Sequence, residues 1–425
     1  MIRANAEAEV ESEAKLPPPS AVAVSAEAVR SAPPCELDAI CAGEPLVMGF
    51  EQGCACREKL RLIDRLLPKL EAFRLARPRW LPYRLFCRLA ESRARRMVRR
   101  PLLRDDVAIH SRLEGISLGS GTRLRLLYLV NALECLMASP RRCTVMPPLG
   151  ACSAVAVRGS RSATGGPLIA RNFDYLPLVQ PLYTLRESRP TGQLRSLDFT
   201  LAPLAGAVDG INERGLAITY DYGFTIDDAR ASGPPISASI SAALAHTATV
   251  SDAARLIMSR PRWGGGLLML ADAEGDIASL ELSTTRAELR RPAPGEDVLC
   301  HTNAFCTASM QAVQISPDAV FTSRAPLALR NKRPLDSSRH RDARFLELLA
   351  QHERLGWDEL TAIMSDHGPS DAEMQSLQPT ANGHGLCVHS DYWYTTAAVQ
   401  LDPRERTMRI TYSSTCQATF RAFRI

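Results

Sequence analysis

The chain has 425 residues, enough for two or three domains or for one large domain with extensions. Hydrophobic residues make up 45% and charged residues 23%, an ordinary globular balance, and a formal net charge of +5 is too small at this length to imply a nucleic-acid role by itself. No run approaches the roughly 18 apolar residues that a membrane helix needs. The N-terminus carries acidic residues and no apolar h-region, so no secretory signal is expected. The twelve cysteines then read as reduced thiols rather than a disulfide framework, and a cytoplasmic protein is the expectation.

The first 34 residues hold 9 Ala, 5 Pro, 5 Glu and 4 Ser but no aromatic residue. Such a segment cannot bury enough apolar surface to offset its ordering entropy, and residues 1–44 are expected to be a disordered extension. "GFEQG" then reads as a turn into an amphipathic helix with Leu60, Ile63, Leu66, Leu67 and Leu70 on one face. From Arg57 to Arg104 there are 16 Lys or Arg against 4 Asp or Glu, interleaved with Trp80, Tyr83 and Phe86. "RLEGISLGSG" reads as a loop, followed by a helix to about Met137. Residues 45–151 are therefore expected to be mostly helical.

After Pro140 the character changes. "SAVAVRG", "PLIARNFDY", "LRSLDFTLAP", "GAVDG" and "LAITYDY" are short β-type runs separated by Gly, Pro and Asn signals. A helical stretch interrupts them, "ISASISAALAHTATVSDAARLIMSR", with Ser251 and Asp252 as cap candidates for its second part. "GGLLMLADAEGDIASLELS" is a hairpin pattern. A helical pair follows, "RHRDARFLELLAQHERL" and "WDELTAIMSDH", and "YTTAAVQLDPRERTMRITYSS" closes the chain with another hairpin. Strands, a helical layer and more strands predict an α+β fold of antiparallel sheets covered by helices.

The chemistry centres on "PPLGACSAVAVRGS", where a Pro/Gly-marked loop delivers Cys152 onto the start of a strand. A lone cysteine is most often a small buried hydrophobe. "ARNFDY" lies one hairpin downstream, however, and returns Arg171 and Asp174 beside it. These two residues read as a surface ion pair or, next to a thiol, as a cation favouring thiolate and a carboxylate able to orient an amine. Asn212 sits in a tight turn in "DGINERGLAIT", Asn303 at a strand end in "LCHTNAFCT", and Arg339 at a helix start in "DSSRHRDARF".

From about Gly49 to the C-terminus the sequence resembles the N-terminal nucleophile (Ntn) hydrolases of the isopenicillin N acyltransferase-like family, with choloylglycine hydrolases and acid ceramidase as more distant relatives. The resemblance rests on "GACSAVAV", "GGPLIARNFDY", "DGINERGLAIT", "HTNAF", "SSRHRDARFLELL", "DHG" and "TTAAVQLDPRERTMRI". Members cleave their own precursor before the cysteine and use the freed cysteine as nucleophile. The resemblance implies Cys152 as nucleophile, Arg171 and Asp174 as the R-x-x-D pair, Asn212 as the N-E-x-G-L turn residue that lends an oxyanion donor, Asn303 as the T-N asparagine, and Arg339 as the arginine near the thiol. It also implies a four-layer αββα sandwich over residues 152–425, with residues 45–151 as a pro-segment that stays bound after cleavage. No cofactor follows from it, and the expected partner is a small acyl amide or thioester. This chain carries Ala151 where many relatives have Gly, and Ala304 where many have His.

The residue chemistry agrees. A chain starting at Cys152 has an α-amino group of reference pKa roughly 7.7–8.0, able to take the thiol proton without a histidine. A papain-like pairing of Cys152 with His389 and Asp391 fits less well, because no helix pattern follows the cysteine. A zinc site from His384, Cys387 and His389 lacks a clear fourth ligand, as do Cys35, Cys41, Cys54 and Cys56. A different class of protein, a nucleic-acid or anionic-lipid binding module using the Arg-rich helices 57–104, is the alternative, and steep salt dependence of binding would reveal it.

Overall fold

Among the described residues, fourteen strands pair into an eight-stranded and a six-stranded sheet. The structure is a computed structural model and describes residues 35–137, 150–227, 233–369, 380–381 and 383–425; the Ala-rich N-terminus and Pro147–Leu149 of the loop ahead of Cys152 lie outside these. The larger sheet runs β1 (Leu37–Gly43), β4 (Tyr183–Pro190), β5 (Ser196–Leu201), β6 (Asp209–Asn212), β7 (Ala217–Tyr222), β8 (Gly266–Ala271), β9 (Ile277–Leu282) and β10 (Ala287–Arg290). The smaller runs β11 (Val298–His301), β2 (Gly150–Val157), β3 (Leu168–Tyr175), β12 (Tyr394–Asp402), β13 (Thr407–Thr411) and β14 (Arg421–Arg424). Every pairing is antiparallel except β1 with β4.

The helices are α1 (Pro45–Ala55), α2 (Arg57–Leu66), α3 (Glu71–Leu75), α4 (Tyr83–Asp105), α5 (Val107–Ser120), α6 (Leu124–Met137), α7 (Ile236–His246), α8 (Val250–Ser259), α9 (Ala308–Gln311), α10 (Pro334–Ala350) and α11 (Trp357–Met364). Strands β2 and β3 lie against β7 and β8, while α7 and α8 cover the outside of the larger sheet and α10 and α11 the outside of the smaller. This is the expected αββα layering. Period-two alternation on β2 sets it locally. Ala154 and Ala156 enter the core between the sheets, whereas Val155 and Val157 join Phe345, Leu349 and Leu360 beneath the outer helices. Cys152 shares the parity of Ala154 and so faces the inter-sheet space.

Three local expectations are corrected. Residues 37–43, placed in the disordered extension, form edge strand β1, tied in by Lys59 to Asp38 at 2.5 Å and by Asp38 to the Leu185 amide at 3.0 Å. "GFEQG" is not a turn but the interior of α1, and "RLEGISLGSG" is not a loop but the second half of α5 with its Gly121 cap. Their glycines serve close approach: a Cβ on Gly49 would overlap the Arg112 carbonyl, and one on Gly115 the Leu46 carbonyl, with Gly53 and Gly119 repeating the contact one turn on. The cap of α8 is Thr249, whose Oγ1 accepts from the Asp252 amide at 3.1 Å, rather than Ser251 or Asp252. The N-terminal helices do not stand apart from the sheets. Leu60, Ile63, Leu113 and Ile116 belong to the same buried cluster as Phe173, Tyr183 and Phe199.

Candidate active site

Cys152 is the third residue of β2, only 2% exposed, and each of its polar atoms is held by a buried side chain. Its Sγ accepts from Arg171 Nη2 at 2.9 Å, its amide donates to Asn303 Oδ1 at 3.1 Å, and its carbonyl accepts from Arg341 Nη1 at 2.6 Å. The β2–β3 ladder explains part of this arrangement. Ala154 lies opposite Arg171, so an inward Arg171 side chain reaches along the sheet to the thiol two residues away. Arg171 Nη1 and Nε meanwhile pair with Asp209 at 2.8 Å and Asp221 at 2.9 Å from the facing sheet, and Nη2 also reaches the Tyr220 carbonyl.

One guanidinium therefore faces two carboxylates and a thiol. Burial pushes the Cys152 thiol well up, Arg171 pulls it down, and Asp221 and Asp174 push it up again. Burial also opposes the Arg171 charge, yet Asp209 and Asp221 raise its pKa and keep it a cation. In the continuous chain Cys152 is a thiol, not a thiolate. Asp221 Oδ2 further lies 3.4 Å from His301 Nε2, while His301 Nδ1 is 2.8 Å from Ser279 Oγ.

Asp174 has the opposite parity on β3 and sits across the ladder from Ala151. Its Oδ1 accepts from Thr395 Oγ1 at 2.6 Å, and its Oδ2 lies 3.7 Å from Arg341 Nη1 without a hydrogen-bond partner among the described residues. Burial pushes its carboxyl up to about 7, with Arg341 and Thr395 pulling in the other direction. Asn303 Oδ1 accepts from both the Cys152 amide and Arg341 Nη2 at 2.8 Å, and its Nδ2 donates to the Tyr222 carbonyl at 2.8 Å. Two donors on one oxygen fix which way this amide points.

The structure thus brings Cys152, Arg171, Asp174 and Asn303 together. Asn212 is placed elsewhere: its Nδ2 donates to the Leu244 and Thr247 carbonyls and its Oδ1 accepts from the Arg214 and Leu216 amides. That asparagine locks a turn against α7, with every side-chain group used. Arg339 is exposed on α10, and the α10 arginine that reaches Cys152, through its carbonyl, is Arg341. The reason is helical phase. Ser337, Arg341 and Phe345 are buried at four-residue spacing, and residue 339 falls off that face. Extending the period back from Phe345 selects Arg341. Asp209, Asp221 and Thr395 also belong to the site and escape the sequence reading. For the two aspartates the available signal is a carboxylate inside "GAVDG" and "AITYDY", apolar strand runs where a charge needs a partner. His389 does not pair with Cys152; its Nε2 lies 3.6 Å from Cys387 Sγ and 3.7 Å from Cys416 Sγ.

Two mostly antiparallel sheets enclosed by helices, with a thiol near the start of a strand of the smaller one, form the layering of an Ntn-hydrolase fold. The family model described as acyl-coenzyme A:6-aminopenicillanic acid acyl-transferase matches residues 161–411, more than half of the chain, and the chain belongs to that family. It is accordingly an enzyme of the amide hydrolase and acyltransferase class. The match begins after Cys152, so the place of the thiol rests on its own geometry. Among solved structures the chain is similar to a Caenorhabditis elegans ortholog of N-acylethanolamine-hydrolyzing acid amidase, at 13% identity and TM-score 0.37 over 59% of this chain and 93% of that one. It is also similar to penicillin V acylase from Agrobacterium tumefaciens, at 16% and 0.36 over 64% and 84%. A third is a mutant conjugated bile acid hydrolase from Clostridium perfringens, at 12% and 0.34 over 64% and 92%. No curated protein matches the sequence.

Proposed function

We propose that the chain is a self-processing cysteine-nucleophile enzyme that hydrolyses or transfers the acyl group of linear amides through an acyl-enzyme on Cys152. The observation that carries this reading is the triple anchoring of one residue: thiol on Arg171, amide on Asn303, carbonyl on Arg341. A cysteine buried only for packing has no need of two buried guanidiniums.

In the first reaction the Cys152 sulfur attacks the Ala151 carbonyl carbon. The C–N bond breaks, the nitrogen takes up the thiol proton, and a thioester links Ala151 to Cys152. Water then releases Ala151 as a carboxylic acid and leaves Cys152 with a free thiol and a free α-amino group. Asp174 Oδ2, buried and lacking a hydrogen bond, is the acceptor available to orient that new amine. Gly150 packs on the Tyr175 ring, which stacks on Phe173 at 4.6 Å, so departure of Gly150 and Ala151 would bare an aromatic surface suited to an acyl chain.

In turnover the α-amine accepts the thiol proton and the thiolate attacks the substrate carbonyl. The second N–H of Asn303 Nδ2 is the candidate oxyanion donor, since only one is used by Tyr222. The leaving amine departs with the proton, and water or a second amine takes the acyl group from sulfur. The helices of residues 45–151 share a core with the sheets and would remain bound after cleavage. The test is intact mass and N-terminal sequencing of purified protein. A new N-terminus at Cys152, plus an acyl adduct on that fragment with an amide or thioester substrate, is expected. Full turnover by Cys152→Ala would sink the mechanism.

A further inference from the structure

On the outer side of the smaller sheet, three segments far apart in sequence bring two thiols and two imidazoles together. His367 follows α11, Cys387 and His389 flank Val388 ahead of β12, and Cys416 lies in the 3-10 turn Thr415–Gln417 after β13. Their four ligand atoms all lie within 4.8 Å of one another. The sulfurs of Cys387 and Cys416 are 3.6 and 3.7 Å from His389 Nε2. Tetrahedral zinc, with bonds of about 2.3 Å to sulfur and 2.0–2.1 Å to nitrogen, has a sulfur–nitrogen edge of roughly 3.6 Å. The rings of His367 and His389 meet at 4.6 Å and 64°, inclined to each other rather than stacked flat.

We propose that His367, Cys387, His389 and Cys416 form a structural zinc site. Sequence spacing groups Cys387 and His389 with His384 and leaves that trio without a fourth ligand. In the structure His384 instead meets His340, with ring centroids at 4.7 Å, and His367 and Cys416 complete the set. Two thiolates and two neutral imidazoles neutralise a divalent ion, and this donor set favours zinc over magnesium or calcium. Four protein ligands leave no open position, so the site is structural rather than catalytic. Loading it deprotonates both thiols and releases their two protons.

The surroundings fix the ligands. The Cys387 amide donates to the Asp366 carbonyl at 2.8 Å, and the Asp366 carboxylate is held by Arg344 at 2.8 Å and by the Gly368 amide at 2.9 Å. His389 stacks flat on Tyr394 at 4.2 Å, which sets its ring orientation. The Val388 amide and carbonyl both bond Thr395, the residue whose hydroxyl donates to Asp174. A bound ion would therefore clamp the segment entering β12 that positions Asp174, a positioning role exerted through Thr395.

The test uses the full chain, free of any histidine tag and purified under reducing conditions with zinc supplied during expression. Elemental analysis should find about one zinc per chain, and Co²⁺ added to chelator-stripped protein should give a thiolate charge-transfer band and intense tetrahedral d–d bands. Cys416→Ser should lower bound zinc at least tenfold, whereas Cys306→Ser, an exposed thiol outside the cluster, should not. Wild-type protein with less than about a tenth of an equivalent of zinc and no cobalt–thiolate band would overturn the proposal. So would a Cys387–Cys416 disulfide as the state recovered under reducing purification. The cobalt spectrum needs no variant, so misfolding of Cys416→Ser leaves the proposal decidable.

Discussion

Cys152 and Cys387 are both buried cysteines on the smaller sheet or next to it, and their neighbours give them opposite chemistry. Around Cys152 stand two guanidiniums and a carboxamide that hydrogen-bond its sulfur and both of its backbone polar groups, with carboxylates on the far side of those guanidiniums. Around Cys387 stand two imidazoles and a second thiol, while its backbone is fixed separately by Asp366. The first setting suits the proposed self-cleavage, in which one thiol and its own peptide bond are the reactants. The second assembles soft ligands around a point. Both thiols are pushed up, Cys152 by burial and Cys387 by the Cys416 thiol and burial, so that direction distinguishes nothing. The donors around each sulfur do.

The largest effect should come from the reactant thiol. Cys152→Ala is expected to leave a single uncut chain and to lower turnover by roughly 10³-fold or more, as loss of a covalent nucleophile does elsewhere. Intact mass and steady-state assay read the two effects separately. A processed Cys152→Ala chain would mean that an outside protease cuts there. Cys306→Ser should process and turn over normally, so that thiol identity, not thiol number, is what matters.

The next test separates the two arginines of α10. Arg341→Met removes the partner of the Cys152 carbonyl and Asn303 and the nearest cation to Asp174 Oδ2, and should slow cleavage and turnover by roughly 10²-fold. Arg339→Gln should change either rate by less than about twofold, as expected of an exposed side chain. Equal effects from both would indicate that α10 turns on its axis when the chain is cut.

A third expectation concerns the N-terminal helices, the pro-segment of the proposed reaction. Gly115→Ala places a methyl group against the Leu46 carbonyl, where backbone rather than a pliable side chain must move. A destabilisation of about 3 kcal/mol or more is expected in thermal or urea unfolding. A variant as stable as its parent would show that α1 can slide on α5, and would weaken the case that the fragment stays bound.

The layered fold is legible because hydrophobic periodicity carries it: "SAVAVRG", "LAITYDY" and the two hairpins are all strands where alternation and turn residues place them. The exceptions have local causes. β1 is a short edge strand with little apolar alternation, and the glycines of α1 and α5 mark helix contact, which spacing within a single helix does not reveal. In the site, Cys152, Arg171, Asp174 and Asn303 stand together as their motifs suggest, whereas Arg339 is easily mistaken for Arg341 because both occur in "SRHR" and only helical phase separates them. Asp209 and Asp221 are visible as charges in apolar strands, but their shared partner, Arg171, is known only once the two sheets face each other. The Cys/His cluster is hidden from sequence because His367 and Cys416 join it through tertiary contact.

The effect that probes the electrostatics most directly, and that falls to nothing at low pH, is pH-dependent stability at Asp174, measured in the uncut Cys152→Ala chain. The carboxyl is pushed from its ordinary 3.8 up to about 7. Below pH 3.8 both the folded and unfolded chains hold the proton. Between 3.8 and about 7 the unfolded chain sheds it while the folded chain keeps it, so rising pH favours unfolding, and above about 7 the penalty is constant. Asp174→Asn is neutral throughout, and its side-chain oxygen can still accept from Thr395. It should therefore stabilise the uncut chain, with no gain near pH 4 and a plateau above pH 7. That plateau is on the order of 2–4 kcal/mol, since a tenfold change in proton affinity between the folded and unfolded chains is worth about 1.36 kcal/mol. In the processed enzyme the α-amino group would supply the missing cation and shrink that gain. Destabilisation by Asp174→Asn at pH 8 would instead show that Arg341 outweighs burial and that the carboxylate is ionised before the chain is cut.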